Sequence, residues 1–75
     1  MKGSENMILD YSFAKTQLEL EPELSLEELK NLMKEGVEHN TQKIHSPENA
    51  QGFYNSLKWL EQFKTIEEVK EAIKL

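Results

Sequence analysis

The sequence predicts an all-α fold: one small domain over residues 1–75, built as a three- or four-helix bundle. Three observations lead there. The stretches "SLEELKNLMK" (25–34) and "TIEEVKEAIK" (65–74) open alike, with a hydroxyl residue, an apolar residue, paired glutamates and a lysine. That is the pattern of a capped amphipathic helix. Apolar residues elsewhere recur at spacings of three and four, the period of a buried helix face. Finally, the chain has 75 residues and no cysteine. A domain this small has a thin stability margin, and without disulfides it must rely on helix packing, self-association or a partner.

The N-terminal stretch "SENMILDYSFAKTQL" reads as a helix near 5–18, capped by Ser4, with Met7, Tyr11, Ala14 and Leu18 on one side. A strand is the alternative, because Leu9, Tyr11 and Phe13 alternate, as do Leu18 and Leu20. A lone hairpin is marginal without further strands, which favours the helix. An acidic connector follows at about 19–25, around Pro22. The second helix is expected over 26–39, with Ser25 and Glu28 forming a reciprocal capping box and Leu24 and Leu29 at hydrophobic-staple spacing. Its buried face is Leu29, Leu32, Met33, Gly36 and Val37. Gly36 costs about 1 kcal/mol of helix propensity relative to alanine, and on that face it suits close approach by a neighbouring helix.

"NTQKIH" (40–45) is polar around Ile44 and reads as a loop. The third helix is expected over 47–63, with Ser46 as cap and Pro47 in the first turn, where its missing N–H does no harm. Ala50, Phe53, Tyr54, Leu57 and Leu60 form its stripe, with Phe53 and Tyr54 assigned to the core. Trp59 and Phe63 fall outside the stripe and widen the apolar arc. The last helix, near 66–74, starts from Thr65 with Glu68 in a second capping box. The likeness between the two decapeptides follows from capping rules alone, and two copies fall short of the three or so that a solenoid repeat needs.

Composition narrows function. Every one of the nine basic residues is a lysine, and the formal charge is −5. Residues 30–75 balance, with seven lysines against seven glutamates. The excess lies in "TQLELEPELSLEE", where Glu19, Glu21, Glu23, Glu27 and Glu28 meet no lysine. Nucleic-acid binding is disfavoured, because it needs a basic surface and commonly an arginine to read bases. At the N-terminus the longest apolar run is Met7-Ile8-Leu9. That is shorter than the core of a secretory signal, and no run approaches a membrane span. The expectation is a cytoplasmic protein with no membrane partner. The lysine-, glutamate-, asparagine- and isoleucine-rich, arginine-free composition resembles that of small proteins of AT-rich bacteria and their phages.

Catalytic constellations are missing from the sequence. There is no cysteine nucleophile, Asp10 is the sole aspartate, and the three glycines at 3, 36 and 52 form no phosphate loop. A weak metal-ligand set is Glu35, His39 and His45, two imidazoles and a carboxylate of the kind that binds zinc or iron. It lacks the fixed His–His spacing of a strong signal, and no cofactor is expected. The sequence therefore points to a non-enzymatic protein–protein interaction or regulatory module, such as a bacterial or phage-encoded modulator of a larger protein. Its expected contacts are Glu19, Glu21 and Glu23, which would steer a basic surface, and Trp59 and Phe63, which would meet an apolar one if exposed. The alternatives are a self-assembling homo-oligomeric subunit, an acidic nucleic-acid mimic, and metal binding through His39 and His45.

Overall fold

The computed structural model describes residues 11–75 and builds four helices: α1 (Ser12–Leu20), α2 (Leu26–Gln42), α3 (Pro47–Leu60) and α4 (Ile66–Ala72). No strand occurs among the described residues, and the all-α bundle is the fold. The expected Ser4 cap and the first residues of the expected 5–18 helix lie outside the described residues. Over 12–20 the strand alternative is overturned. Ala14 and Leu18, four apart, are both fully buried, whereas Leu20, which alternation would place beside Leu18, is 73% exposed. That is a period of 3.6 rather than 2. α1 runs two residues past its expected end, so Glu19 belongs to the helix and the connector shortens to 21–25.

The helix starts differ in how they are closed. At α2 the Ser25 hydroxyl accepts from the Glu28 amide at 3.1 Å and the Glu28 carboxylate accepts from the Ser25 amide at 2.9 Å, the capping box read from the sequence. At α4 Thr65 accepts from the Glu68 amide at 3.2 Å, but the Glu68 carboxylate takes the Lys64 amide rather than that of Thr65. Ser46 stands at the N-cap of α3 without making the expected side-chain cap; Pro47 follows it at the first position. Tyr11 at the N-cap of α1 has no capping side chain either. There the Ala14 amide donates to the hydroxyl of Ser56 on α3, 3.3 Å away and 42 residues along the chain.

The other three ends also depart from expectation. α2 continues past 39 to Gln42, and Asn40 Nδ2 donates to the Gly36 carbonyl at 2.7 Å. α3 stops at Leu60 rather than 63, because Glu61, Gln62 and Phe63 donate to the carbonyls of Lys58, Trp59 and Leu60 three residues back. This tightens the last turn and carries Phe63 off the helix. α4 stops at Ala72 rather than 74. Leu75 donates to the Lys70 carbonyl and Lys74 to that of Glu71 around a left-handed Lys74 (φ 57°), a Schellman closure.

α3 lies between α1 and α2 and buries two sides. Toward α2, the Phe53 ring covers Gly36, where an added Cβ would lie 2.5 Å from Phe53 Cγ. Gly36 thus serves close approach, as the sequence suggested. Toward α1, Phe13 covers Gly52 in the same manner, with its Cε1 2.8 Å from where a Cβ would sit. The two plugging rings meet edge to face, their centroids 4.5 Å apart. Gly52, Ser56 and Trp59 form the second buried side. This is why the apolar arc of α3 is wider than one neighbour requires. Around this axis Leu18, Leu29, Met33, Leu57, Leu60, Val69 and Ile73 complete the core.

Candidate functional site

Of the residues the sequence nominated for partner contact, Trp59 is corrected. It is 5% exposed, its ring tilted against Tyr11 (centroids 4.7 Å) and edge to face with Phe63 (4.8 Å). The second side of α3 faces α1 rather than solvent, so the indole is core. Phe63 is half-buried against that cluster. Tyr54 is corrected in the opposite sense: assigned to the core, it is 46% exposed. It lies on α3 one position past Phe53, and the ring of Phe53 fills the space against Gly36.

Glu19, Glu21 and Glu23 are all exposed, and Leu20 stands among them as the most exposed large apolar residue described. Gln17 Nε2 donates to the Glu21 carboxylate at 2.8 Å. Among the described residues no cation pairs with any of the three. Glu19 lies in the last turn of α1, which holds no basic residue, and Glu21 at its C-cap; Glu23 stands two residues before Ser25, the N-cap of α2. The C-terminal end of α1 carries the negative pole of the helix dipole, so carboxylates are electrostatically misplaced there. Glu28, by contrast, is engaged in the capping box.

Glu35, His39 and His45 are separately exposed, and no group of three metal-ligating side chains is gathered among the described residues. His45 instead takes a left-handed backbone (φ 58°) where the chain turns from α2 into α3, and Ser46 donates to the Asn40 carbonyl across that turn at 2.8 Å.

The same turn frames a groove of about 580 Å³ between the C-terminal half of α2 and the N-terminal half of α3. Val37, Ala50, Pro47 and Tyr54 supply its apolar and aromatic walls, and an equal number of polar residues, Asn40 and His45 among them, line the rest. Lys58 lies 5.9 Å from the Tyr54 ring centroid and pairs with Glu61 at 3.2 Å. The hydrogen bond to Glu61, then its charge, raise the ammonium above its usual pKa. Both side chains of this pair are half-exposed, so it adds little to stability. Reading from sequence missed the groove and Asn40. It also missed the stripe Gly52–Ser56–Trp59–Phe63, legible as spacings of four, three and four once α3 is allowed two neighbours.

No protein-family model, no curated protein and no solved structure matches this chain. No helix among the described residues is long and apolar enough to cross a membrane.

Proposed function

We propose that the protein is a non-enzymatic interaction module that binds a larger protein through the acidic corner at the end of α1. One observation carries this reading: among the described residues no cation pairs with Glu19, Glu21 or Glu23 around an exposed Leu20, and the first two lie at the helix end where their charge is least favoured. A sequence that violates a local stability rule in one place commonly does so for function. The partner surface this corner fits is basic, with an apolar depression for Leu20. Carboxylates of this kind speed encounter with such a surface at low salt, while the buried leucine slows its departure.

The test is affinity capture on the immobilised protein at low and at high salt. Three forms are compared: the native chain, the triple variant E19Q/E21Q/E23Q, and Leu20→Asp. All four positions are exposed, so the fold is not at issue. The expected result is a retained protein that the triple variant loses at low salt and that Leu20→Asp loses at both. An identical retained set from all three forms overturns the reading.

A further inference from the structure

We infer that the acidic corner of one copy of this chain seats in a lysine-lined cleft of a second copy. The inference rests on the reading of that corner as a contact surface, and it adds a way for the free protein to keep the corner occupied. The cleft, of about 390 Å³, lies beside the first half of α2 and is lined by Leu26, Glu27, Lys30, Asn31, Lys34 and Lys64. It sets three ammonium groups against a single carboxylate. Among the described residues no carboxylate pairs with any of the three lysines. Lys30 and Lys34 stand one helical turn apart, a like-charge spacing that disfavours the helix. Lys64 comes to the same place from the segment before α4.

Corner and cleft answer each other feature by feature. The corner offers Glu19, Glu21 and Glu23 with an exposed Leu20; the cleft offers Lys30, Lys34 and Lys64 with a half-buried Leu26. Three carboxylates without a cation thus match three cations without a carboxylate. Within one chain no ion pair joins the two surfaces among the described residues. They nonetheless adjoin, since Glu23 and Leu26 are three residues apart, at most about 11 Å of chain. Opposite surfaces that adjoin on one molecule suit a two-fold pair, in which each copy gives its corner and receives the other's. Exposed ion pairs are individually weak. The pair therefore holds by their number and by Leu20 leaving water against Leu26, and a tighter partner for the corner displaces it.

The test is sedimentation equilibrium of the full chain over a concentration series, at about 0.01 M and about 1 M ionic strength, between which the Debye length falls from about 30 to about 3 Å. The expected result is a monomer–dimer equilibrium at low salt that weakens about tenfold or more at high salt. K30Q/K34Q/K64Q and E19Q/E21Q/E23Q should each lose the dimer. K43Q/K70Q/K74Q, with the same net charge as the first, should keep it. Glutamine has nearly the helix propensity of lysine, so both lysine triples leave the helices intact. A monomer at every concentration at low salt overturns the inference, as does a dimer indifferent to salt or one that survives the cleft or the corner variant. Equal weakening by the two lysine triples would trace the effect to net charge and overturn the cleft. Affinity capture keeps the two readings apart, because K30Q/K34Q/K64Q should still retain the larger protein. A native chain that retains a partner yet never dimerises sinks this inference alone; a dimer with no retained protein sinks the other.

Discussion

α2 and α3 meet twice, and the two meetings differ. At Gly36 the helices are closed: the glycine removes a side chain and the Phe53 ring occupies the space. One turn farther along α2, Asn40 faces Ala50 and Tyr54 across an open groove. Both places pair a small residue with a nearby aromatic. What differs is which way the aromatic points. Phe53 lies inward over Gly36, and Tyr54, one residue on, is carried outward. Closure in this bundle therefore depends on an aromatic plug lying over a glycine, and where the plug is missing the surface is left open.

Removing the plug should be the larger perturbation. Phe53→Ala empties the space over Gly36 and takes away the edge-to-face partner of Phe13. Full burial would put the cost at about 3–5 kcal/mol; a half-buried ring should lose about 2–3 kcal/mol. For so small a domain this is a large part of the total stability. Urea denaturation followed by helical circular dichroism would measure it. A loss below about 1 kcal/mol would mean that the closed half is not held by its ring.

Gly36→Ala tests the same contact from the other helix, with two opposing effects. Alanine gains about 1 kcal/mol of helix propensity. Its Cβ would sit 2.5 Å from Phe53 Cγ and 2.6 Å from Cε1. Because the ring's attachment point is involved, spinning the ring cannot relieve the clash, and Phe13 blocks a sideways shift. Overpacking costs about 1–3 kcal/mol, so a net loss of about 1 kcal/mol is expected. A stabilised variant would show that the seam yields and that glycine is there for another reason.

The helix starts offer a parallel contrast between closed and open. Ser25→Ala removes one side of a complete capping box and should cost about 1 kcal/mol. Ser46→Ala occupies the same N-cap position on α3 but removes no side-chain cap. It should change stability by no more than a few tenths of a kcal/mol. Equal losses from the two, read in the same urea experiment, would break the distinction.

These contrasts also mark what the sequence could reveal. The start of α2 was legible because its capping box, Ser25 and Glu28, lies within four residues and the apolar spacing follows directly behind it. The start of α1 was not, because the hydroxyl that receives the Ala14 amide belongs to Ser56, 42 residues away. Trp59 was misread because a single helix period assigns one inner face, and α3 has two. Ser46 was misread because the residue type was right while the local geometry gave its hydroxyl nothing to accept. The acidic corner was legible as charge. That Glu19 and Glu21 lie at the negative end of a helix around an exposed leucine depends on where α1 ends. The groove was out of reach altogether, since it is set by the register of Asn40 against Ala50 and by a left-handed His45 in the turn between them.

A second near-zero effect is the most discriminating. Ala50 is half-buried and faces the groove rather than a packed ring. Leucine has nearly the helix propensity of alanine. Its extra carbons would enter open space and cover Val37 and Tyr54. Gly36 and Ala50 thus lie along one helix pair, each enlarged toward the opposite helix, with opposite forecasts. Ala50→Leu should fall within about 0.5 kcal/mol of the native protein, as a change that neither opens a cavity nor forces a clash. The same urea midpoints read it directly. If Ala50→Leu proved as costly as Gly36→Ala, the groove would be a packed seam like its neighbour.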